Sequence, residues 1–285
     1  WMLDEEKRLR EEYYTAYARY LHRYVRAYRE EGITIDYLVL FNEPVIYTRI
    51  EPREIADLLV HHVGPLFEQS ELETRLIPCE SYNKRRAAEE WPVLLDTPGV
   101  RRYTGVVAYH SYHWNENPGW IIGDLDHRFP DVEKWQTEVM NLYTKPISTP
   151  GDAEHWGRLM SDDILNGASA WMFWNLFVDD EGGPWNRDPF NEGYPQDGVV
   201  VIDPETHTWR ATSKAMYLGA FAEALGRGSY IARTEVHDDS IPFPANGLYW
   251  CRIASAVDEN GGVGVVVMNT GEYPVDFVLR LGAVG

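Results

Sequence analysis

Short β-branched and aromatic runs alternate with amphipathic stretches through most of the chain, and this restricts the fold more than any single residue does. The runs start near Ile33, Thr74, Tyr103, Val132 and Ala168. Each is short, apolar and bounded by turn-forming residues, so each reads as a buried strand rather than a helix. Between them, apolar residues recur every three or four positions, which predicts helices opened by Pro52 and spanning about 84–95 and 152–166, with a further helix over about 211–225. Strands separated by helices in this way run parallel, with the helices as crossovers. The five strands fall short of the eight that close a (β/α)8 barrel. The expected fold is therefore an α/β TIM barrel that is N-terminally incomplete, since the chain opens on a crossover helix.

That opening helix is expected over residues 4 to about 31. Asp4, Glu5 and Glu6 suit a first turn, where the helix dipole favours negative charge. Leu9, Tyr13, Tyr17, Tyr20, Tyr24 and Tyr28 form a stripe at helical spacing, expected to pack against the barrel. After Gly226-Arg227-Gly228 the texture changes to strand-like runs over 231–236, 247–256, 262–269 and 275–281. The last alternates apolar and polar residues, the signature of a half-buried strand. The division expected is a barrel over 1–226 and a C-terminal, sandwich-like β module over 227–285. Trp1-Met2 at the start and a strand-like segment just before the final Ala283-Val284-Gly285 suggest a piece of a longer chain.

Composition excludes several functions. A formal charge of −19 argues against nucleic acid and anionic membranes as partners. The two cysteines, Cys79 and Cys251, form neither a metal cluster nor a disulfide framework. No apolar run approaches the about 20 residues of a membrane span. No signal peptide is visible, and neither localisation nor oligomeric state can be read.

The chemistry collects at strand ends. Asn42-Glu43-Pro44 follows the strand that starts at Ile33, and Trp135-Gln136-Thr137-Glu138-Val139 is a strand finishing on a carboxylate. In parallel barrels, catalytic side chains gather at the carboxyl ends of strands. Glu43 and Glu138 should therefore share one rim. Two carboxylates so placed suit hydrolysis of a glycosidic bond, one protonating the leaving oxygen and the other attacking or stabilising the sugar cation. The plainer alternatives are a strand-ending turn at Asn42–Pro44 and a surface ion pair at Glu138. His110-Ser111-Tyr112-His113-Trp114 ends another strand. His110 and Tyr112 read as rim residues that orient other groups, since two histidines at i, i+3 lack the third ligand that zinc usually takes. His61 and His62 are helical neighbours on different faces, a poor metal pair. No metal is expected.

These motifs together resemble glycoside hydrolase family 30, the glucosylceramidase-like retaining β-glycosidases. The similarity runs through Asn42-Glu43-Pro44, His110-Ser111-Tyr112, Thr137-Glu138, Trp171–Asn175, Gly182-Gly183-Pro184 and Lys214–Gly219 into the β module. The resemblance implies Glu43 as acid/base, Glu138 as nucleophile and Asn42 as partner of the sugar 2-hydroxyl. It implies that Tyr112 hydrogen-bonds near the nucleophile and Trp174 walls the sugar subsite. Asn186 or Asn191 would supply a further polar contact. It also implies a (β/α)8 barrel with an attached β-sandwich, no cofactor, and a carbohydrate or glycolipid substrate. Phe41, Ser111 and the order Trp185-Asn186 depart from the family pattern and bear on subsite recognition. The activity expected is cleavage of β-glucosidic bonds by double displacement. An endo-acting β-1,6-glucanase or xylanase is the alternative within the family. A non-catalytic carbohydrate-binding barrel or an inactive fragment is the alternative outside it.

Overall fold

A computed structural model describes residues 1–46, 48–185, 193–232, 234, 247, 248 and 251–282. In chain order its elements are α1 (Tyr14–Glu30), β1 (Tyr37–Val39), α2 (Pro52–Leu58), α3 (Gly64–Glu68), β2 (Arg75–Ile77), β3 (Glu80–Ser81), α4 (Lys84–Leu95), α5 (Val100–Tyr103) and β4 (Val106–His110). They continue with α6 (Trp120–Arg128), β5 (Glu133–Glu138), α7 (Pro150–Leu165), β6 (Ala168–Trp171), β7 (Phe177–Asp179), β8 (Val200–Ile202), β9 (Trp209–Ala211) and α8 (Ser213–Ala224). The C-terminal part holds β10 (Tyr230–Ala232), β11 (Gly247–Leu248), β12 (Cys251–Val257) and β13 (Val263–Asn269).

β1 pairs in parallel with β2, and β3, β4, β5 and β6 pair in parallel in that order. β2 and β3 are successive segments of one path, tied across their break by the bridges Asn42–Glu80 and Leu76–Thr104. The result is an arc of parallel strands with helices outside it. Among the described residues neither β1 nor β6 has an outer neighbour. Beyond β6, β7 runs parallel to β8, and β8 forms a hairpin with β9 that sequence reading did not anticipate.

Local sequence accounts for the helix boundaries. Pro52 starts α2, and Glu51 and Glu54 exchange capping-box hydrogen bonds. The Asn83 side chain caps α4 by accepting from the Arg86 amide at 2.9 Å. Thr149 does the same for α7, with Pro150 in the first turn. A π turn over Leu59–Val63 joins α2 to α3. There His62 accepts or donates with the Thr15 hydroxyl while exposed His61 faces Asp57, so the two rings point apart as expected.

The N-terminal helix departs from expectation. It begins at Tyr14, after a 3-10 turn over Glu11–Tyr13, because residues 3–10 fold into a tight turn closed by the Leu3–Leu9 bridge. Its buried face is Tyr14, Ala18, Leu21 and Val25, whereas Tyr20, Tyr24 and Tyr28 are exposed. The two stripes share one spacing and differ by one position, about 100° around the helix. Of the tyrosine stripe, Tyr17 does pack inward: its hydroxyl donates to the Leu40 carbonyl at 2.6 Å and its ring stacks on Phe41.

Strands are also shorter than the apolar runs. Ile33–Asp36 and Met172–Leu176 lie outside β1 and β6, and Tyr103 ends a helix. Each strand lasts only as long as its neighbour offers a matching register. The run over 275–281 forms no strand among the described residues, and Phe277, Val278, Leu279 and Leu281 are exposed. Alternation without a partner does not make a strand.

The β module is an antiparallel sheet, β10-β12-β11 with β13 on β12. It shares a core with the barrel helices: Met160 of α7, Phe221 of α8, Ala254, Val266 and Met268 pack together. Gly264 makes this docking possible, since a Cβ there would lie 1.7 Å from the Ala224 carbonyl oxygen. No helix among the described residues is long and apolar enough to cross a membrane.

Candidate active site

The carboxyl ends of the parallel strands converge on one buried imidazole. His110 ends β4 at a register shift that sets it opposite Glu138, the last residue of β5. Its side chain has no solvent exposure. Nδ1 lies 2.6 Å from Glu43 Oε1 and 3.7 Å from Glu138 Oε1, and Nε2 lies 4.0 Å from Glu80 Oε2. One ring thus faces three carboxylates, brought in by the loop after β1, by β3 and by the end of β5.

Glu43 is fixed by its backbone. Its amide donates to the Glu80 carbonyl at 3.0 Å, and its φ is +43°, a left-handed conformation that glutamate seldom adopts. Such a conformation persists only where the surroundings impose it, and it is common at functional sites. Glu138 is fixed by the exit of β4: the Ser111 amide donates to its carbonyl at 3.1 Å, and the Tyr112 hydroxyl donates to its Oε1 at 2.9 Å. Ser111 is anchored in turn. Its hydroxyl donates to Asp163 Oδ2 at 2.9 Å, which also accepts from the Trp171 indole at 3.0 Å, while Asp163 Oδ1 pairs with Lys84 at 2.6 Å in full burial.

The loop after Glu138 is pinned as well. Asn141 donates to Asp152 and Asp197, and Lys214 pairs with both of those aspartates. The Gly182-Gly183-Pro184 motif forms a tight turn after β7. Asp179 Oδ1 accepts from the Gly183 amide at 2.7 Å, and a Cβ at Gly182 would meet the Gln196 backbone at 2.6 Å.

The electrostatics follow from burial and crowding. Burial raises the Glu138 pKa, Glu43 and Glu80 add to the rise, and His110 and the Tyr112 hydrogen bond oppose it. Burial likewise raises Glu80, with His110 opposing. For His110, burial alone would lower the pKa, but the Glu43 hydrogen bond and the charges of Glu138 and Glu80 raise it overall. Burial and Glu138 push the Tyr112 phenol far up, so it stays protonated and remains a donor. One oxygen of each of Glu43 and Glu138 and one nitrogen of His110 all lie within 4.8 Å of one another. A cation seated there would have to break the Nδ1–Oε1 hydrogen bond, whose length and partners are those of an acid–base pair.

Of the residues expected from sequence, Glu43, Glu138, His110 and Tyr112 come together in this cluster. Asn42 is exposed at its edge, bridged through its backbone to Glu80. Trp174 sits where its amide donates to the Val139 carbonyl, with its ring half exposed at the rim. Its peptide bond to Asn175 is cis. Asn186 and Asn191 lie outside the described residues. Sequence reading ends the strand from Thr74 at Glu80-Ser81 but does not select Glu80 as a site residue. It also passed over Tyr82, which stacks on Tyr112, and the paired rings of Tyr143 and Tyr194, 4.6 Å apart.

Residues 6–222 match the Glycosyl hydrolase family 30 TIM-barrel domain. The chain is 26% identical over 277 residues to the Caenorhabditis elegans protein named "Putative glucosylceramidase 4", covering 91% of this chain and 50% of that protein. It is 24% identical over 232 residues to the endo-1,6-beta-D-glucanase of Neurospora crassa, covering 77% of this chain and 45% of that protein. The solved structure of the endo-beta1,6-glucanase BT3312 superposes with a TM-score of 0.77 at 21% identity, over 95% of this chain and 60% of that one. The chain spans about half the length of the curated relatives it matches. The match across the barrel assigns the chain to glycoside hydrolase family 30.

Proposed function

We propose that this chain carries the catalytic centre of a retaining β-glycosidase acting on β-glucosidic bonds, with Glu138 as nucleophile and Glu43 as acid/base. The observation that carries the reading is the approach of the two carboxylates to within 4.8 Å at the ends of parallel strands. Retaining enzymes hold the pair about 5–5.5 Å apart, and inverting enzymes about 6.5–9.5 Å apart to admit a water between them. Glu138 attacks the anomeric carbon as the bond to the leaving oxygen breaks, and Glu43 gives that oxygen its proton. Glu43 then takes a proton from water, whose oxygen attacks the same carbon and releases Glu138. Tyr112 holds Glu138 Oε1 from the side, and the exposed ring of Trp174 offers a face for a sugar.

The names of the relatives, a glucosylceramidase and an endo-1,6-glucanase, support a glucose-configured substrate, carried by a lipid or by a polysaccharide. The test is intact mass and peptide mapping after incubation with a glucose-configured cyclitol epoxide. A single adduct on Glu138, absent in Glu138→Gln, is expected. Labelling at Glu43, or labelling undiminished in Glu138→Gln, would reverse or remove the assignment.

A further inference from the structure

Glu80 belongs to the site by position, yet no step of the reaction above uses it. It opens the two-residue strand β3, between the loop after β1 that carries Glu43 and the strand β4 that ends on His110, and its carboxylate lies 4.0 Å from Nε2 of the imidazole. Nε2 is buried and has no hydrogen-bond partner among the described residues. A bare lone pair on that nitrogen would face a carboxylate in a region shielded from water, where repulsion is weakly screened. An N–H there would instead point its positive end at the anion. The choice fixes the other nitrogen. With the imidazole proton on Nε2, Nδ1 can make its 2.6 Å contact with Glu43 Oε1 only if a second proton lies between them. With the proton on Nδ1, the contact needs no second proton, and Glu43 would be left as a carboxylate.

We propose that Glu80 is a positioning residue for the acid/base: its carboxylate keeps a proton on Nε2 of His110, so that a second proton is retained in the Nδ1–Oε1 bond for Glu43 to deliver. The proposal rests on reading Glu43 as the acid/base. The charged and titratable groups facing the imidazole are Glu43 from the loop after β1, Glu80 from β3 and Glu138 from β5, with the Tyr112 ring packed edge-on at 5.9 Å. Glu80 itself is acted on by His110, Glu43 and the Thr137 hydroxyl of β5. An anion beside the ring raises the affinity of the imidazole for protons, in line with the upward direction for His110.

The test is nitrogen-15 NMR of the full chain labelled at histidine, followed across a pH titration. In the wild type the His110 signals are expected to show Nε2 protonated throughout, a result that needs no variant. In Glu80→Gln, which keeps the shape and loses the charge, the His110 transition should move down by about one pH unit. In Glu80→Asp it should stay within a few tenths of the wild-type position. In the kinetic arm, the alkaline limb of kcat/KM for an aryl β-glucoside should move the same way in Glu80→Gln and not in Glu80→Asp. A wild-type ring protonated on Nδ1 with a bare Nε2, or an unmoved transition in Glu80→Gln, would overturn the proposal. Wild-type protein that turns over no glucoside while its NMR behaves as expected would overturn the acid/base reading and leave Glu80's control of the imidazole standing.

Discussion

The Tyr112 hydroxyl donates to Glu138 Oε1 at 2.9 Å, from a loop that the neighbouring Ser111 ties to the buried Asp163. The donor is therefore held by a fixed backbone, and it lowers the pKa of a carboxylate that burial has raised. As the proposed nucleophile Glu138 must be ionised to attack, so the contact should extend activity toward acid. Tyr112→Phe should move the acidic limb of the pH–rate profile to higher pH. It should also lower kcat/KM by about 10–100-fold, the worth of about 1.5–3 kcal/mol for a hydrogen bond to a charged group. An unmoved acidic limb would mean that Tyr112 acts only through packing.

Glu43→Gln should separate the two proposed chemical roles. Loss of a general acid costs about 10²–10⁴-fold where the leaving oxygen needs a proton, and little where it does not. Aryl glucosides with strongly acidic phenols should therefore still form the glycosyl-enzyme, whereas alkyl glucosides should fail. The alkaline limb of the profile should vanish for the activated substrates. A uniform loss across leaving groups would argue that Glu43 is structural.

Much of this site is legible in the sequence because one rule covers it: carboxylates at the ends of parallel strands face a common rim. That rule points to Glu43 and Glu138, and the surrounding motifs bring in His110 and Tyr112. The same rule applied to the run at Thr74 reaches Glu80, but no motif draws attention to it, and its partner His110 is thirty positions away. What periodicity could not supply is the choice between equivalent faces. The tyrosines of α1 and the set Tyr14, Ala18, Leu21 and Val25 have the same period, and only the core behind the helix selects one. Likewise the alternation at 275–281 describes a side-chain pattern and says nothing about a neighbouring strand to pair with.

Stability should fall as pH rises from mildly acidic to neutral. Glu138, Glu80, Glu90, Asp163 and Asp197 all have pKa values raised on folding, in each case chiefly by burial. The native state then binds more protons than the unfolded chain above the ordinary carboxylate range, so the free energy of unfolding decreases with pH in that window. His110, also raised, has the same sign: its contribution is present below the ordinary imidazole range and lost as pH rises through its folded value. Self-repulsion from a formal charge of −19 adds in the same direction. Thermal melts should show Tm highest on the acidic side of neutrality. A Tm that rose steadily to pH 8 would contradict these directions.

The Lys84–Asp163 pair supports the site from behind, and its two halves should respond unequally to mutation. Both side chains are fully buried, with Nζ 2.6 Å from Oδ1, while Oδ2 accepts from Ser111 and Trp171. Removing the lysine leaves a carboxylate stranded in the core, at a cost of about 3–5 kcal/mol for a broken buried pair. Lys84→Met should therefore unfold at markedly lower urea concentration. Adding Asp163→Asn removes the stranded charge and keeps an acceptor for Ser111 and Trp171, so the double variant should be more stable than Lys84→Met alone. Urea titrations of the wild type, both single variants and the double variant would complete the cycle. Additive losses would show that Asp163 does not depend on Lys84, and that Ser111 and Trp171 alone hold it in place.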